Sequence, residues 1–161
     1  MKPKILIIND GGGFSFQTKC LTSGYEKDFE IFYLVPQDKE MDLTVNTKNS
    51  FPISKVTAIY NTNKIHKVIA FIKCFFQTIK ILRQNDYSNI IAIGTSTAVP
   101  VFMAAKLFKV RTVFIDSITR VNDLSQTAKI LLKLKLPTKT LTQWESLSNP
   151  SDNVFFEGNI L

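Results

Sequence analysis

Three short loops hold the residue types that can do chemistry, and each follows an apolar run. "IINDGGGFSFQ" (7–17) sets Gly11, Gly12 and Gly13 between such a run and a helix-like segment. Glycines there let backbone N–H groups approach an anion with no Cβ in the way, at the positive end of the following helix, and Ser15 adds a hydroxyl. A turn that binds nothing is the alternative. "GTSTAVP" (94–100) repeats the logic with Gly94, Thr95, Ser96 and Thr97. Its hydroxyls can bond a sugar or phosphate, and Ser96 or Thr97 can cap the helix. "FIDSITRV" (114–121) supplies Asp116, Ser117 and Arg120. The Arg could clamp a phosphate and the Asp could act as base or accept a sugar hydroxyl. A local Asp116–Arg120 ion pair is the plainer reading.

Other familiar chemistry is missing. Phe16 breaks a GxGxxG pattern, no GxxxxGK[ST] stretch occurs, and "YLVPQ" ends without the acid that would hold an NAD ribose. His66 is the single histidine and lies in a basic helix, which reads as surface. Cys20 and Cys74 show no CxxC spacing, so a zinc site, which takes about four ligands, is not expected. They read as reduced thiols. No metal or cofactor is expected.

The elements that must position these loops alternate. Strands are expected at 4–9, 29–36, 89–94 and 111–116, with short ones at 139–144 and 153–161 and a weak one around "SKVTAIY" (54–60). Helices are expected at 14–25, 64–84, 96–109 and 124–135. Alternation of this kind predicts an α/β, Rossmann-like, mostly parallel sheet with helices on both faces, a single domain over 1–161. Ligands in such sheets sit at the carboxyl ends of strands, so all three loops should meet on one edge.

Helix 64–84 carries Ile65, Val68, Ile69, Ile72, Phe75, Phe76, Ile79 and Leu82 on one stripe, with Lys73, Gln77, Lys80 and Gln84 opposite. Packing of that stripe against the sheet is one reading. The other rests Phe71, Phe75 and Phe76, with Lys64, Lys67, Lys73, Lys80 and Arg83, on anionic lipid. Twenty Lys plus Arg against thirteen Asp plus Glu, a net charge of +7, favour an anionic partner or mean only a solvated basic surface. The uncharged run 87–105 approaches the ~20 residues that span a bilayer. Gly94, Ser96 and Pro100 in its middle read instead as strand, loop and helix start, so no transmembrane helix is expected.

The order of these pieces, with "DSITRVNDLSQTAKIL", "QWESL" and "FFEGNIL", resembles the Alg14-like family, including bacterial subunits of the PssD and CpsF type. These are similar to the N-terminal, acceptor-binding half of GT-B glycosyltransferases such as MurG. The resemblance implies an acceptor-binding, membrane-associating subunit that works with a separate Alg13-like donor-binding protein as a heterodimer. The pair would move a sugar from a nucleotide-sugar donor, held by that partner, to a polyprenyl-diphosphate-linked sugar in exopolysaccharide or capsule synthesis. It would work peripherally on the cytoplasmic face of a bacterial plasma membrane, and nucleic acid is not an expected partner. "EGNIL" resembles the point where single-chain relatives pass into their donor domain.

Carried over residue by residue, Gly11, Gly12 and Gly13 match the loop facing the acceptor pyrophosphate, and Gly94 and Thr95 match the second loop. Ser117 and Arg120 match directly, and Asp116 stands where relatives have Glu. Gln143, Trp144 and Glu145 match a Q-W motif that is structural or near the donor cleft. Two departures are Ala128, where relatives have Gly, and Phe14 with Ser15, where relatives place a His. Loss of that His leaves a second expectation, a non-catalytic membrane scaffold that recruits the donor-binding partner.

Overall fold

The computed structural model describes residues 2–37, 49–56 and 64–160, without the Lys64 side chain. The strands are β1 (Lys4–Ile8), β2 (Glu30–Pro36), β3 (Ser50–Ile53), β4 (Asn89–Ile93), β5 (Arg111–Ile115), β6 (Lys139–Thr142) and β7 (Val154–Phe156). They form one parallel sheet in the order β3-β2-β1-β4-β5-β6-β7. The helices are α1 (Gly13–Thr22), α2 (Lys64–Gln84), α3 (Ala98–Leu107) and α4 (Gln126–Lys133).

Period-two alternation splits each strand between two faces. Leu6 and Ile8 of β1, Phe32 and Leu34 of β2, Ile90 and Ala92 of β4 and Phe114 of β5 enter the larger core. There they meet Cys74, Ile81 and Leu82 of α2, Val101 and Phe102 of α3, and Leu131 of α4. Ile5, Ile7, Ile31 and Tyr33 form a smaller cluster on the opposite face. Helix α1 lies on that side and buries Ser15, Gln17, Thr18 and Thr22, all of them polar.

The third strand is a correction in part: a strand falls at Ser50–Ile53, residues 54–56 are not strand, and 57–60 of the expected 54–60 lie outside the described residues. Pro52 disguises it, yet among the described residues β3 pairs only with β2 and so is an edge, where a missing N–H is tolerated. The uncharged run 87–105 resolves into β4, a loop and most of α3. Among the described residues no helix is long and apolar enough to cross a membrane.

Candidate functional site

The order of strands reverses at β1 and β4, the two neighbours whose crossovers leave in opposite directions, and a crevice opens at their carboxyl ends. Gly11 and Gly12 hold φ of 81° and 63°, values that L side chains avoid. A Cβ built on Gly12 or Gly13 would meet nothing within 4 Å, so the loop faces open space. Gly94, across the crevice, also has a left-handed φ of 60°. A Cβ on it would lie 2.4 Å from Phe14 Cε1, so the aromatic ring seals the gap between the two glycine loops.

Beneath the loops lies a buried polar cluster. Thr95 Oγ1 donates to Asp10 Oδ2 at 2.6 Å, and Thr97 Oγ1 reaches Asp10 Oδ1 at 3.5 Å. Ser15 Oγ donates to Asn9 Oδ1 at 2.6 Å. The segment after β3 folds over the same edge: Lys55 Nζ donates to the Asp10 carbonyl at 3.3 Å, and Ser96 Oγ donates to the Val56 carbonyl. Lys55 thereby sets a cation beside the glycine loop.

Asp116 is 1% exposed, and both its oxygens accept backbone N–H groups, from Ser117 at 3.0 Å and Ser125 at 2.7 Å. Ser125 in turn caps α4 by accepting from Ala128 N at 3.1 Å. A carboxylate so engaged closes the β5–α4 loop rather than presenting a base to the crevice. The Asp116–Arg120 ion pair does not form among the described residues. Arg120 is exposed and donates its backbone N–H to the Ser117 carbonyl at 2.9 Å, while Ser117 Oγ pairs with Thr119 Oγ1 at 3.0 Å.

Gln143 is buried at the centre of a clamp. Its Nε2 donates to the Asp116 carbonyl at 2.8 Å and to Gln17 Oε1 at 3.0 Å, and its Oε1 accepts from Ile160 N at 3.1 Å. Trp144 Nε1 donates to the Ile118 carbonyl at 2.8 Å, and Glu145 is exposed at the start of a short 3-10 turn. The structure thus brings Gly11 to Ser15, Gly94 to Ser96, Asp116 and Gln143 to one edge and leaves the Arg120 side chain in solvent. Asn9, Asp10, Gln17, Lys55 and Ser125 join that edge without having been singled out. Asn9 and Asp10 stood directly before the glycines at a strand end, where the crevice rule already pointed.

The apolar stripe of α2 is a second correction. Ile65, Val68, Ile69, Ile72 and Phe76 face outward, with Phe76 62% exposed. The inner face is Cys74, Thr78, Ile81 and Leu82, with Phe75 and Ile79 packed against the core. Burial pushes the Cys74 thiol up to about 12, a hydrogen bond from Thr78 opposing it, so this cysteine is inert. Of the residues assigned to lipid, Phe71 and Phe75 are half-buried, Lys73, Phe76, Lys80 and Arg83 are exposed, Lys67 is intermediate, and the Lys64 side chain lies outside the described residues. Helix α3 packs beside α2 and adds exposed Met103 and Leu107.

The family model described as oligosaccharide biosynthesis protein Alg14 like matches residues 38–160. The chain belongs to the Alg14-like family. Among solved structures it is similar to Acinetobacter baumannii MurG, with a TM-score of 0.72 at 13% identity over 96% of this chain and 44% of that one. It is also similar to UDP-N-acetylglucosamine 2-epimerase from Rickettsia bellii, with a TM-score of 0.70 at 14% identity over 99% and 46%. A third is the glycotransferase of kitacinnamycin, with a TM-score of 0.63 at 11% identity over 99% and 52%. The chain spans about half the length of these structures, and at such identities they show a shared fold, that of a GT-B glycosyltransferase domain. No curated protein matches it by sequence. Family and fold make it a glycosyltransferase-related protein.

Proposed function

We propose that this chain is the acceptor-binding, membrane-associating subunit of a two-component glycosyltransferase. Its partner is an Alg13-like donor-binding protein that brings the nucleotide-sugar. The acceptor is a polyprenyl-diphosphate-linked sugar in exopolysaccharide or capsule synthesis, used at the cytoplasmic face of a bacterial plasma membrane. The observation that carries this reading is the outer face of α2. Val68, Ile69, Ile72 and Phe76 are exposed together, Lys73 and Lys80 border them, and Arg83 continues their line. Burying such a face in the headgroup boundary while lysines meet anionic lipid is the physics of a peripheral membrane helix.

In this reading the pyrophosphate rests on the N–H groups of Gly11 to Gly13, with the N-terminal end of α1 and the Lys55 ammonium balancing its charge. Thr95, Ser96, Ser117 and Arg120 are the polar residues that the other two loops contribute to the acceptor side, and Gln143 to Glu145 border the partner's cleft. Gly13→Asp tests it. The new carboxylate would sit in the first turn of α1, where it favours the helix but repels phosphate. Co-expression with a donor-binding partner should give an intact complex, intact vesicle binding and no sugar transfer. Full transfer by the variant would sink the pyrophosphate assignment.

A second reading is a non-catalytic membrane scaffold that recruits the donor-binding subunit. It is favoured by the engagement of both buried carboxylates at this edge, Asp10 and Asp116, in internal hydrogen bonds. Transfer by the partner alone on a soluble acceptor analogue, at the rate of the complex, would select this reading.

A further inference from the structure

The helix layer that carries the exposed face of α2 has a charge pattern of its own. None of the chain's thirteen Asp plus Glu falls in α2, α3 or α4. All three helices lie on one side of the sheet, since each supplies residues to the larger core, and α3 touches both α2 and α4. Every ionised side chain that these helices present is therefore a cation. The acids nearest in chain are the exposed Asp86, just past α2, and Asp123, which pairs with Lys129 before α4 begins.

Helices α3 and α4 also repeat the apolar texture of α2. On α2 an outward ridge runs through Val68, Ile72 and Phe76, each four residues from the last. On α3 the ridge is Met103 and Leu107, and on α4 it is Ile130 and Leu134, with Leu107 65% and Leu134 47% exposed. Residues at that spacing stand one above the other on one face of a helix. Lys106 Nζ donates to the Lys135 carbonyl at 3.3 Å and ties the last turn of α3 to the end of α4, so the two ridges finish side by side. The core does not require either ridge, because α3 meets it through Val101 and Phe102 and α4 through Leu131.

The helix ends carry a third observation. Lys109 and Lys135, just past α3 and α4, hold left-handed φ of 56° and 50°. Glycine is the usual residue at such a position, and any side chain there has a steric cost. The helix dipole favours a cation at a C-terminus, but Lys106 and Lys133 in the last turns already meet that need. The dipole accounts neither for the apolar ridges nor for the missing acids.

We propose that the outer faces of α3 and α4 join that of α2 in one lipid-facing surface, so that the helix layer lies flat on an anionic bilayer. Leu107 and Leu134 enter the headgroup boundary, and Lys109, Lys133 and Lys135 meet the lipid phosphates. The inference rests on the membrane reading of α2 and gives it an orientation. With the sheet parallel to the bilayer, the crevice at the strand carboxyl ends opens sideways, one helix layer above the lipid. A lipid-linked pyrophosphate would approach the glycine loop along the membrane surface.

The test compares the full chain with its variants by co-sedimentation with phosphatidylcholine vesicles, with and without phosphatidylglycerol. Leu107→Asp and Leu134→Asp should each weaken binding to the phosphatidylglycerol vesicles about thirtyfold, the scale of one large apolar side chain withdrawn from an apolar phase. Lys109→Gln combined with Lys133→Gln should weaken it about 25-fold, at about fivefold per cation, and should hardly change binding to phosphatidylcholine alone. All four positions are exposed, and circular dichroism checks that the variants stay folded. The glutamine pair leaves both ridges in place and decides the matter if an Asp variant unfolds. Binding of these variants at the parent's level, with Ile72→Asp losing its binding, would overturn the proposal and leave the membrane reading of α2 standing. A parent chain that binds neither vesicle would overturn that reading and this inference with it.

Discussion

The outer face of α2 and the cluster at the strand ends depart from the usual partition of residues in opposite directions. One is apolar and exposed: Val68, Ile69, Ile72 and Phe76. The other is polar and buried: Asn9, Asp10, Thr95, Thr97, Asp116 and Gln143. Either departure alone is informative, because scattered exposed apolar residues need no explanation but patches and buried carboxylates do. The difference lies in where the cost of disturbance should fall. The buried cluster is satisfied internally, so it holds the fold and its loss destabilises the free chain. Among the described residues the exposed face meets the core side only where the Phe76 ring touches Phe75, so its loss should leave the chain folded and remove an external contact.

The largest effect is expected at Asp116. Asp116→Ala removes the acceptor of two buried backbone N–H groups, and at ~1.5–3 kcal/mol for each bond to a charged group the loss should reach about 3–6 kcal/mol. Chemical denaturation measures it, and a change below about 1 kcal/mol would show that Asp116 does not hold the loop. Gly94→Ala comes next. It combines a left-handed φ, costing ~1–2 kcal/mol in an L residue, with the 2.4 Å approach to the Phe14 ring. About 2–4 kcal/mol is expected. Phe14→Ala in the same chain should recover the steric part and leave the backbone part, which a double-mutant cycle separates.

On α2 the sign of the comparison reverses. Ile72→Asp or Phe76→Asp should change stability by no more than about 0.5 kcal/mol. Vesicle partitioning should fall by about 2 kcal/mol, on the scale of one large apolar side chain withdrawn from an apolar phase. Leu82→Ala, ten residues on from Ile72, should do the reverse: ~2–5 kcal/mol of stability lost, with membrane binding of the folded fraction intact. If Ile72→Asp unfolds the chain, the outer face is covered in the free protein and the contrast fails.

Much of the fold was legible in the residues, and the limits have physical causes. Alternation of apolar runs with helical segments was enough for a parallel sheet, and the rule for strand carboxyl ends gathered three separated loops on one edge. The inward face of α2 was not legible, because the helix is apolar on both sides. At ~100° per residue, Ile65, Ile72 and Phe76 lie opposite Cys74, Thr78 and Ile81, and periodicity finds a stripe without saying what covers it. Of the stripe, Phe75, Ile79 and Leu82 turn to the core beside Cys74, Thr78 and Ile81, and Ile65, Val68, Ile69, Ile72 and Phe76 turn away from it. Asp116 misled differently. An acid after a strand looks the same whether it serves substrate or its own loop, and only the Ser125 N–H, nine residues away, decides between them. Lys55 escaped notice because its approach to the glycine loop depends on β3, which Pro52 concealed.

The smallest effect tests the charges that border the apolar face, and separates lipid from a protein partner as what that face meets. Lys73→Glu and Lys80→Glu should each weaken binding to vesicles rich in anionic lipid by about 1 kcal/mol, roughly fivefold. Binding to zwitterionic vesicles should hardly change, since there the apolar residues act without the lysines. The difference between variant and parent should shrink as salt approaches ~1 M, where the screening length falls to ~3 Å. A salt-independent loss would mean that Lys73 and Lys80 act through their methylene stems or through a specific contact. Equal loss on both lipids would mean the same and remove the electrostatic half of the membrane reading. Retention of binding in the charge variants together with its loss in Ile72→Asp would leave an apolar face with no preference for anionic lipid, the surface expected of a protein-docking helix.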